Sequence, residues 1–246
     1  MLMHTYPVYY DWWLLDGQDA KNEKDGKDVN WFRGTLSRQL SMRLQKLNVT
    51  TTVNDTPESI TAAFQAYLKA CEARRAKRLA SFTANSPEIV FTKFRTLRPS
   101  FFAYTEGASD ARAECNYIAG GTLSKIKMNG IWAEEETLMT DEDGVYRDPN
   151  LHFDGQHLLF SWKKSAKEDD FHLYEMDLKT RDIKQLTFGK GHADIEGIYL
   201  PDENILFNST RCGSAVDCWF TEVSNMYLCD REGRYMRQVG FDQVHT

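Results

Sequence analysis

The feature that most constrains the fold is an internal repeat in the second half of the chain. The segment LYEMDLKTRDIKQLTF (173–188) aligns without a gap over MYLCDREGRYMRQVGF (226–241). Each copy contains two runs that are typical of β-strands, joined by a short charged turn. Upstream of each copy an acidic turn leads into another strand, in FDGQHLLFSW (153–162) and in LPDENILFNS (200–209). The sequence therefore predicts consecutive copies of one β unit.

Each unit opens with one more short segment, RDPNL with Asp148 in the first copy and ADIEG with Asp194 in the second. The result is a four-stranded antiparallel meander of roughly 45 residues, which is the size of a propeller blade. One such sheet cannot bury both of its faces alone, so blades stack against each other. A less regular unit with a long insertion precedes these two. We predict a mainly β fold, a partial and about three-bladed β-propeller with blades at 87–140, 147–188 and 193–241.

The first third of the chain has a helical pattern instead. Thr56 suits the N-cap of a helix and Pro57 suits its first turn. The apolar residues that follow recur at helical spacing and form one stripe, which consists of Ile60, Phe64, Tyr67, Leu68 and Cys71. A shorter amphipathic segment runs from Leu36 to Leu47. We predict an N-terminal α-helical region at 1–85, followed by the propeller at 86–246.

The net charge and the hydropathy of the chain limit the kinds of partner that we expect. Its formal net charge of −6 provides no basic footprint for nucleic acid. No run of about 18 apolar residues is present, so we expect no membrane span. The opening MLMHTYPVYYDWWLL is apolar but contains Asp11, and it lacks the basic start and the cleavage site of a secretory signal. The sequence leaves the compartment open.

Several blocks of the sequence resemble known families. FDGQHLLFSW, followed by LYEMDL and QLTFG, is similar to the TolB-type (PD40) repeat. The blocks SPEIVFTKFRTLRPSFFAYTEG, RDPNLHFDGQHLLFSWKKS, LPDENILFNSTRC and VDCWFTEVSNMYLCDREG resemble, in the same order, the middle domain of hydrazine synthase alpha subunits. This resemblance covers about residues 86–246. It implies a propeller of about six or seven blades in a larger, often exported, multidomain protein.

The same resemblance raises the question of haem. Hydrazine synthase works with c-type haems, which are attached through CxxCH. None of the five cysteines here is followed directly by His, so the sequence contains no CxxCH. We therefore predict no cofactor and no catalytic residue, and a non-catalytic scaffold or binding module for a protein partner, a ligand or the remainder of a larger protein. The alternative is a fragment of a larger oxidoreductase-like or peptidase-like enzyme whose catalytic domain lies outside this chain.

Cys212 and Cys218, in NSTRCGSAVDCW, form a close cysteine pair. Their spacing excludes a redox CxxC, and no second pair follows to complete a structural zinc site. Gly213 and Ser214 allow the chain to turn back, so the main hypothesis is a disulfide that staples the loop. Free structural thiols and a metal site are the alternatives. Three neighbours make the loop a candidate contact surface: Arg211, Asp217 and Trp219.

The segment GHADIEG is the best candidate for a cation site. Its ligands would be His192, Asp194 and Glu196, and a spacing of two places both carboxylates on one strand face. We expect turn and inter-blade hydrogen bonds as their main role, with a cation site as the alternative. The other histidines of this region are interpreted as packed or hydrogen-bonded residues: His152, His157, His172 and His245.

Two further motifs lack the sequence context that their possible functions require. DEDGVYRD (141–148) is acidic around a Gly, but it lacks the Glu that completes an EF-hand loop. A hairpin turn at Asp143-Gly144 is the favoured interpretation. GASDA (107–111) lacks the strand and the helix that flank a nucleophile elbow, so Ser109 is not predicted to be a nucleophile.

Overall fold

A computed structural model describes residues 9, 12–14, 16, 35–86, 88–95, 117–167, 169–215 and 222–242. The chain divides into two compact units. The first comprises Met1–Pro87 with Met128–Trp132, and the second comprises Glu88–Lys127 with Ala133–Thr246. Ser109, Cys115 and His245 lie outside the described residues.

Two helices form the core of the first unit, α1 (Leu36–Lys46) and α2 (Pro57–Asn85). The predicted cap of α2 is confirmed, because the Thr56 side chain accepts a hydrogen bond from the Ser59 N–H and Pro57 occupies the first turn. The predicted apolar stripe faces inward. The fully buried side chains of this unit include Leu40, Leu44, Tyr67 and Cys71.

The second unit contains three antiparallel sheets. The first sheet has the order β1 (Glu88–Phe94), β2 (Gly121–Asn129), β3 (Trp132–Asp141). The second has the order β4 (Val145–Leu151), β5 (His157–Lys163), β6 (His172–Asp177), β7 (Ile183–Gln185). The third has the order β8 (Asp194–Tyr199), β9 (Ile205–Ser209), β10 (Asn225–Cys229), β11 (Arg237–Gln238). Strands that follow each other in sequence are therefore neighbours in space, as in a meander.

The registers confirm the internal repeat. Tyr174 pairs with Gln185 in the second sheet, and Tyr227 pairs with Gln238 in the third. Both members of the second pair lie 53 positions after those of the first, which is the offset of the sequence alignment (226 minus 173). The gapless alignment of the two segments is thus a structural equivalence.

Alternation along β5 explains how the sheets stack. Leu158 and Phe160 face the first sheet and pack in a cluster with Leu123. Leu159 faces the other way, in a cluster with Phe207 of the third sheet. Full burial of one such side chain contributes about 1.5–3 kcal/mol. Three consecutive sheets stacked face to face in this way form a partial β-propeller of about three blades, as predicted.

The acidic segment between β3 and β4 corrects one expectation. Asp141 Oδ1 accepts hydrogen bonds from the N–H groups of Asp143 (3.0 Å) and Gly144 (2.9 Å). However, β3 belongs to the first sheet and β4 to the second. The turn at Asp143-Gly144 is therefore a connection between blades, and the prediction of a hairpin there is wrong. Sequence shows a turn, but it does not show which sheet the next strand joins.

No helix among the described residues is both long enough and apolar enough to cross a membrane.

Candidate functional site

The first strands of the three sheets, β1, β4 and β8, lie side by side at the inner edge of the arc. Two of them carry a β-bulge at the same place. The register of β4 with β5 shifts between Arg147 and Asn150, and that of β8 with β9 shifts between Ile195 and Ile198. Bulges of this kind redirect a side chain away from the strand face.

The bulges make Asp148 and Glu196 equivalent. Both residues have a positive φ, 53° for Asp148 and 57° for Glu196. The sequence alignment paired Asp148 with Asp194, two positions away from this equivalence. The error arises because the alignment matched two Asp residues by identity; β4 and β8 carry the same bulge, so the bulge does not shift one copy against the other.

Arg147 joins these two bulges. Its guanidinium donates hydrogen bonds to Asp148 Oδ2 (2.6 Å), to Glu196 Oε1 (3.1 Å) and to the hydroxyl oxygen of Tyr117 (2.7 Å). Asn208 Nδ2 donates to the other oxygen of Glu196 at 2.7 Å. We call these five residues the inner-edge network.

The electrostatics of the inner-edge network reflect its burial. Burial raises the pKa of Asp148, and the hydrogen bonds from Arg147 offset only part of that effect. Burial also raises the pKa of Tyr117, so its hydroxyl stays protonated at neutral pH. The carboxylates of Asp148 and Glu196 both accept hydrogen bonds from protein donors. This arrangement holds the second and third sheets together.

Asp194 organises a second polar cluster. Its fully buried carboxylate accepts hydrogen bonds from Ser209 Oγ (2.7 Å) and from Nε (2.9 Å) and Nη2 (2.7 Å) of Arg211, and it lies 3.3 Å from Nδ1 of His172. Burial by itself raises the pKa of Asp194, but the hydrogen bonds from His172 and Arg211 outweigh it and the pKa is lowered. Asp194 is an ionised residue that links β8, β9 and β6.

The structure separates the three residues of the predicted cation site. Asp194 binds Arg211 and Ser209, whereas Glu196 binds Arg147 and Asn208. His192 Nε2 lies 3.3 Å from the carbonyl oxygen of Phe188. Among the described residues, the three-residue group whose ligand atoms converge lies elsewhere. The hydrogen-bonding role is therefore the one that the geometry favours.

The predicted contact loop is only partly described. Cys212 ends a 3₁₀ turn (Thr210–Cys212), and Gly213 follows it with a φ of 67°. Cys212 Sγ lies 3.1 Å from the carbonyl oxygen of Val223. Arg211 points to Asp194 rather than into the loop. Cys218, Asp217 and Trp219 lie outside the described residues, so the disulfide and the contact surface stay predictions.

Sequence reasoning missed a convergence of histidines. His152, Asp154 and His157 place three possible metal-ligand atoms within 4.8 Å of one another. His152 and Asp154 lie in the short turn between β4 and β5, and His157 is the first residue of β5. The signal in the sequence is the spacing H-x-D-x-x-H in HFDGQH, which the interpretation as scattered packing residues overlooked.

The third sheet presents an apolar face away from the second sheet. Its cross-strand row joins Ile198, Leu206 and Leu228 through the register pairs Ile198–Leu206 and Leu206–Leu228. Met226 extends the row. Ile198 is 42% exposed, and the other three side chains are half-buried. We call these four residues the open face.

The order of the strands, the registers and the paired bulges define the class of this protein, a partial β-propeller. No family profile matches the chain, and no curated protein matches it. TolB from Acinetobacter baumannii is similar at 21% identity over 49% of this chain and 27% of TolB, with a TM-score of 0.37. A puromycin hydrolase is similar at 15% identity over 50% of this chain and 18% of its own length, with a TM-score of 0.37.

A puromycin-hydrolyzing peptidase from Mycobacterium tuberculosis is similar at 11% identity over 65% of this chain and 21% of the peptidase, with a TM-score of 0.41. The chain thus spans between 18% and 27% of the length of these three proteins. At such identities the similarity concerns the fold alone.

Proposed function

We propose that this chain is a non-catalytic propeller module that binds another sheet through its open face. The observation that supports this proposal is the cross-strand row of Ile198, Leu206 and Leu228 on the last described sheet. In the two inner interfaces of the arc, the equivalent rows are covered by the next sheet. An apolar sheet face of this kind marks an interaction surface.

The partner that fits the open face is a second β-sheet. Sheets pack face to face about 10 Å apart, with apolar side chains from both inner faces interdigitating. Either a protein partner or the remainder of a larger multidomain protein can supply that sheet. The inner-edge network also supports a structural role, because its carboxylates are bound by Arg147 and Asn208.

A matched pair of substitutions tests the proposal. Ile198→Lys places a charge on the open face, whereas Ile183→Lys places one on β7, where the side chain is exposed to a similar extent (41% against 42%). We expect the wild-type chain and Ile183→Lys to self-associate in a concentration-dependent way in size-exclusion chromatography with light scattering. We expect Ile198→Lys to be largely monomeric. A wild-type chain that stays monomeric at every concentration and binds no hydrophobic dye would contradict the proposal.

We also propose that the module is a haem-less relative of the hydrazine synthase alpha middle-domain family. The support is the order of the resembling blocks, together with the absence of CxxCH from the sequence. The purified chain is expected to give no Soret absorbance after incubation with haem. A protein-bound Soret band would contradict the interpretation that the cysteines bind no haem.

A further inference from the structure

The turn between β4 and β5 brings two imidazoles onto one carboxylate. Asp154 Oδ1 accepts hydrogen bonds from the backbone N–H groups of Gln156 (2.7 Å) and His157 (3.1 Å). Its other oxygen, Oδ2, lies 2.9 Å from Nδ1 of His152 and 2.7 Å from Nδ1 of His157. One oxygen therefore shapes the turn, while the other faces both rings.

The turn does not need its histidines in order to form. The corresponding turn of the third sheet carries Asp202, whose Oδ1 likewise accepts from the N–H two residues later, that of Asn204 (3.2 Å). At the position equivalent to His152 it has Leu200, whose N–H and carbonyl make the matching turn bonds. Two further turns use the same cap without any histidine, at Asp177 and Asp230.

His152 is held in an orientation that suits a metal ligand. Its Nε2 lies 3.1 Å from Glu203 Oε2, and its ring packs edge-on against Tyr199 with the centroids 4.6 Å apart. Its Nδ1 accepts a hydrogen bond from the Asp154 N–H at 3.2 Å. With the proton on Nε2, the single lone pair of Nδ1 accepts this bond 2.9 Å from Asp154 Oδ2, and a metal on Nδ1 would replace the bond from the Asp154 N–H. Two such groups attract a shared cation.

Glu203 forms an outer shell around the three candidate ligands: it contacts His152 without being a candidate ligand itself. Metal-bound histidines characteristically donate their second N–H to a carboxylate, which fixes the ring and raises its basicity. Glu203 occupies that position, and Arg231 Nη1 donates to the same oxygen, Glu203 Oε2, at 3.2 Å. Glu203 lies in the turn between β8 and β9, and His152 lies in the turn between β4 and β5, so this hydrogen bond joins turns of the third and second sheets.

We propose that His152, Asp154 and His157 form a binding site for a divalent transition metal of the zinc class. Two imidazole nitrogens and one carboxylate oxygen are a ligand set that zinc accepts, with bonds of about 2.0–2.2 Å. Tetrahedral binding separates the ligand atoms by about 3.3 Å. The two contacts of Asp154 Oδ2, 2.9 Å to Nδ1 of His152 and 2.7 Å to Nδ1 of His157, are close to that separation, and all three ligand atoms lie within 4.8 Å of one another. The side chains of Asp154 and His157 are 29% and 30% exposed, which leaves the fourth position open to water.

The geometry also assigns the site a consequence for the fold. A metal on His152 strengthens the bond from its Nε2–H to Glu203, and this bond joins the second and third sheets.

The test is titration of the metal-free full chain with Zn²⁺ by isothermal calorimetry, with Co²⁺ absorbance as a report on geometry. We expect one Zn²⁺ per chain and a tetrahedral Co²⁺ spectrum. His152→Leu introduces the residue of the sister turn, and His157→Gln keeps a polar side chain; each should weaken binding at least tenfold. Glu203→Gln should weaken it by about 10–100-fold. Asp202→Asn, in the sister turn, is the control and should bind as the wild type does.

Two results would overturn the proposal. One is no saturable Zn²⁺ binding by a chain that is folded by circular dichroism. The other is unchanged binding by both His152→Leu and His157→Gln, which would place the metal on other residues. Thermal melts without metal show whether each variant is folded, so a loss of binding is assigned only to variants that melt as the wild type does.

Discussion

Asp148 and Glu196 occupy the same bulge position in consecutive sheets, and the backbone N–H of Glu196 donates a hydrogen bond to Asp148 Oδ2 at 3.1 Å. Both side chains then converge on Arg147, which lies one residue before Asp148. A repeated backbone irregularity thus produces a polar contact between blades. The bulge recurs in β4 and β8, whereas Ile195 stands at the position of Arg147 in the third sheet, so the contact is specific to the interface between the second and third sheets.

The first prediction concerns Arg147. Arg147→Ala leaves Asp148 buried without its cation, and we expect a loss of about 3 kcal/mol in the free energy of unfolding. In an Asp148→Asn background the same change should cost clearly less, because only the partly exposed Glu196 then loses its cation. Urea unfolding of the wild type, both single variants and the double variant measures this coupling. Equal costs in the two backgrounds would show that the ion pair does not stabilise the fold.

The second prediction concerns the pH dependence of Asp194. Its pKa is lowered in the folded state, so its ionised form stabilises the fold above its unfolded pKa of about 3.9. That stability is lost as the pH falls through the lower, folded pKa. The difference in unfolding free energy between the wild type and Asp194→Asn should therefore be full at pH 6 and shrink below about pH 4.

Asp148 supplies the internal comparison for that measurement. Its pKa is raised, so protonation favours the folded state, and this contribution is lost as the pH rises through the folded pKa. Relative to Asp148→Asn, the wild type should thus become more stable as the pH falls. Opposite slopes for the two variants are the expected outcome, and parallel slopes would contradict it.

The repeat predicted more of the fold than any single motif did. Tyr174 and Tyr227 were aligned from sequence alone, and their pairing with Gln185 and Gln238 reproduces that alignment. The preference of Thr for the N-cap position likewise predicted that α2 begins after Thr56. These features are local, because turn residues and alternating side chains determine them within a few positions.

The features that sequence did not predict depend on backbone irregularity or on distant partners. Glu196 has a positive φ without being Gly, so the sequence did not show its bulge. The alignment instead matched Asp148 with Asp194 by residue identity, two positions away from the structural equivalence. His152 and Glu203 are 51 positions apart, and they meet only because two sheets stack. A search for H-x-D-x-x-H in turns would have found the candidate ligands, although not their outer shell.

The third prediction concerns Gly197, which follows the bulge in β8. A Cβ there would lie 2.9 Å from Cδ2 of Leu159 and 3.0 Å from Cδ2 of Leu173, both in the buried interface. Gly197→Ala should therefore destabilise the fold by about 1–3 kcal/mol through overpacking. Thermal or urea unfolding measures the loss. In a Leu173→Ala background the extra methyl gains room, so the same change should cost less; an equal cost would argue against the clash.

The last prediction concerns the cysteines. Burial raises the pKa of Cys71 to about 11 and that of Cys229 to about 12. Both thiols are therefore protonated at pH 8 and shielded from reagent, since the thiolate is the reactive form. Iodoacetamide should label neither residue in the folded chain, and both after unfolding. Rapid labelling of either residue in the native protein would show that its side chain is not buried.

The same experiment decides the state of Cys212 and Cys218. Under oxidising conditions, a disulfide leaves both unlabelled until reductant is added, and mass spectrometry of the digest then identifies them as the linked pair. Because the loop between them is short, removing such a bridge should cost on the order of 2–3 kcal/mol. Labelling of both residues before reduction would rule the bridge out. Cys229 is the internal standard, because it should become reactive only on unfolding, whatever the redox state of the other two.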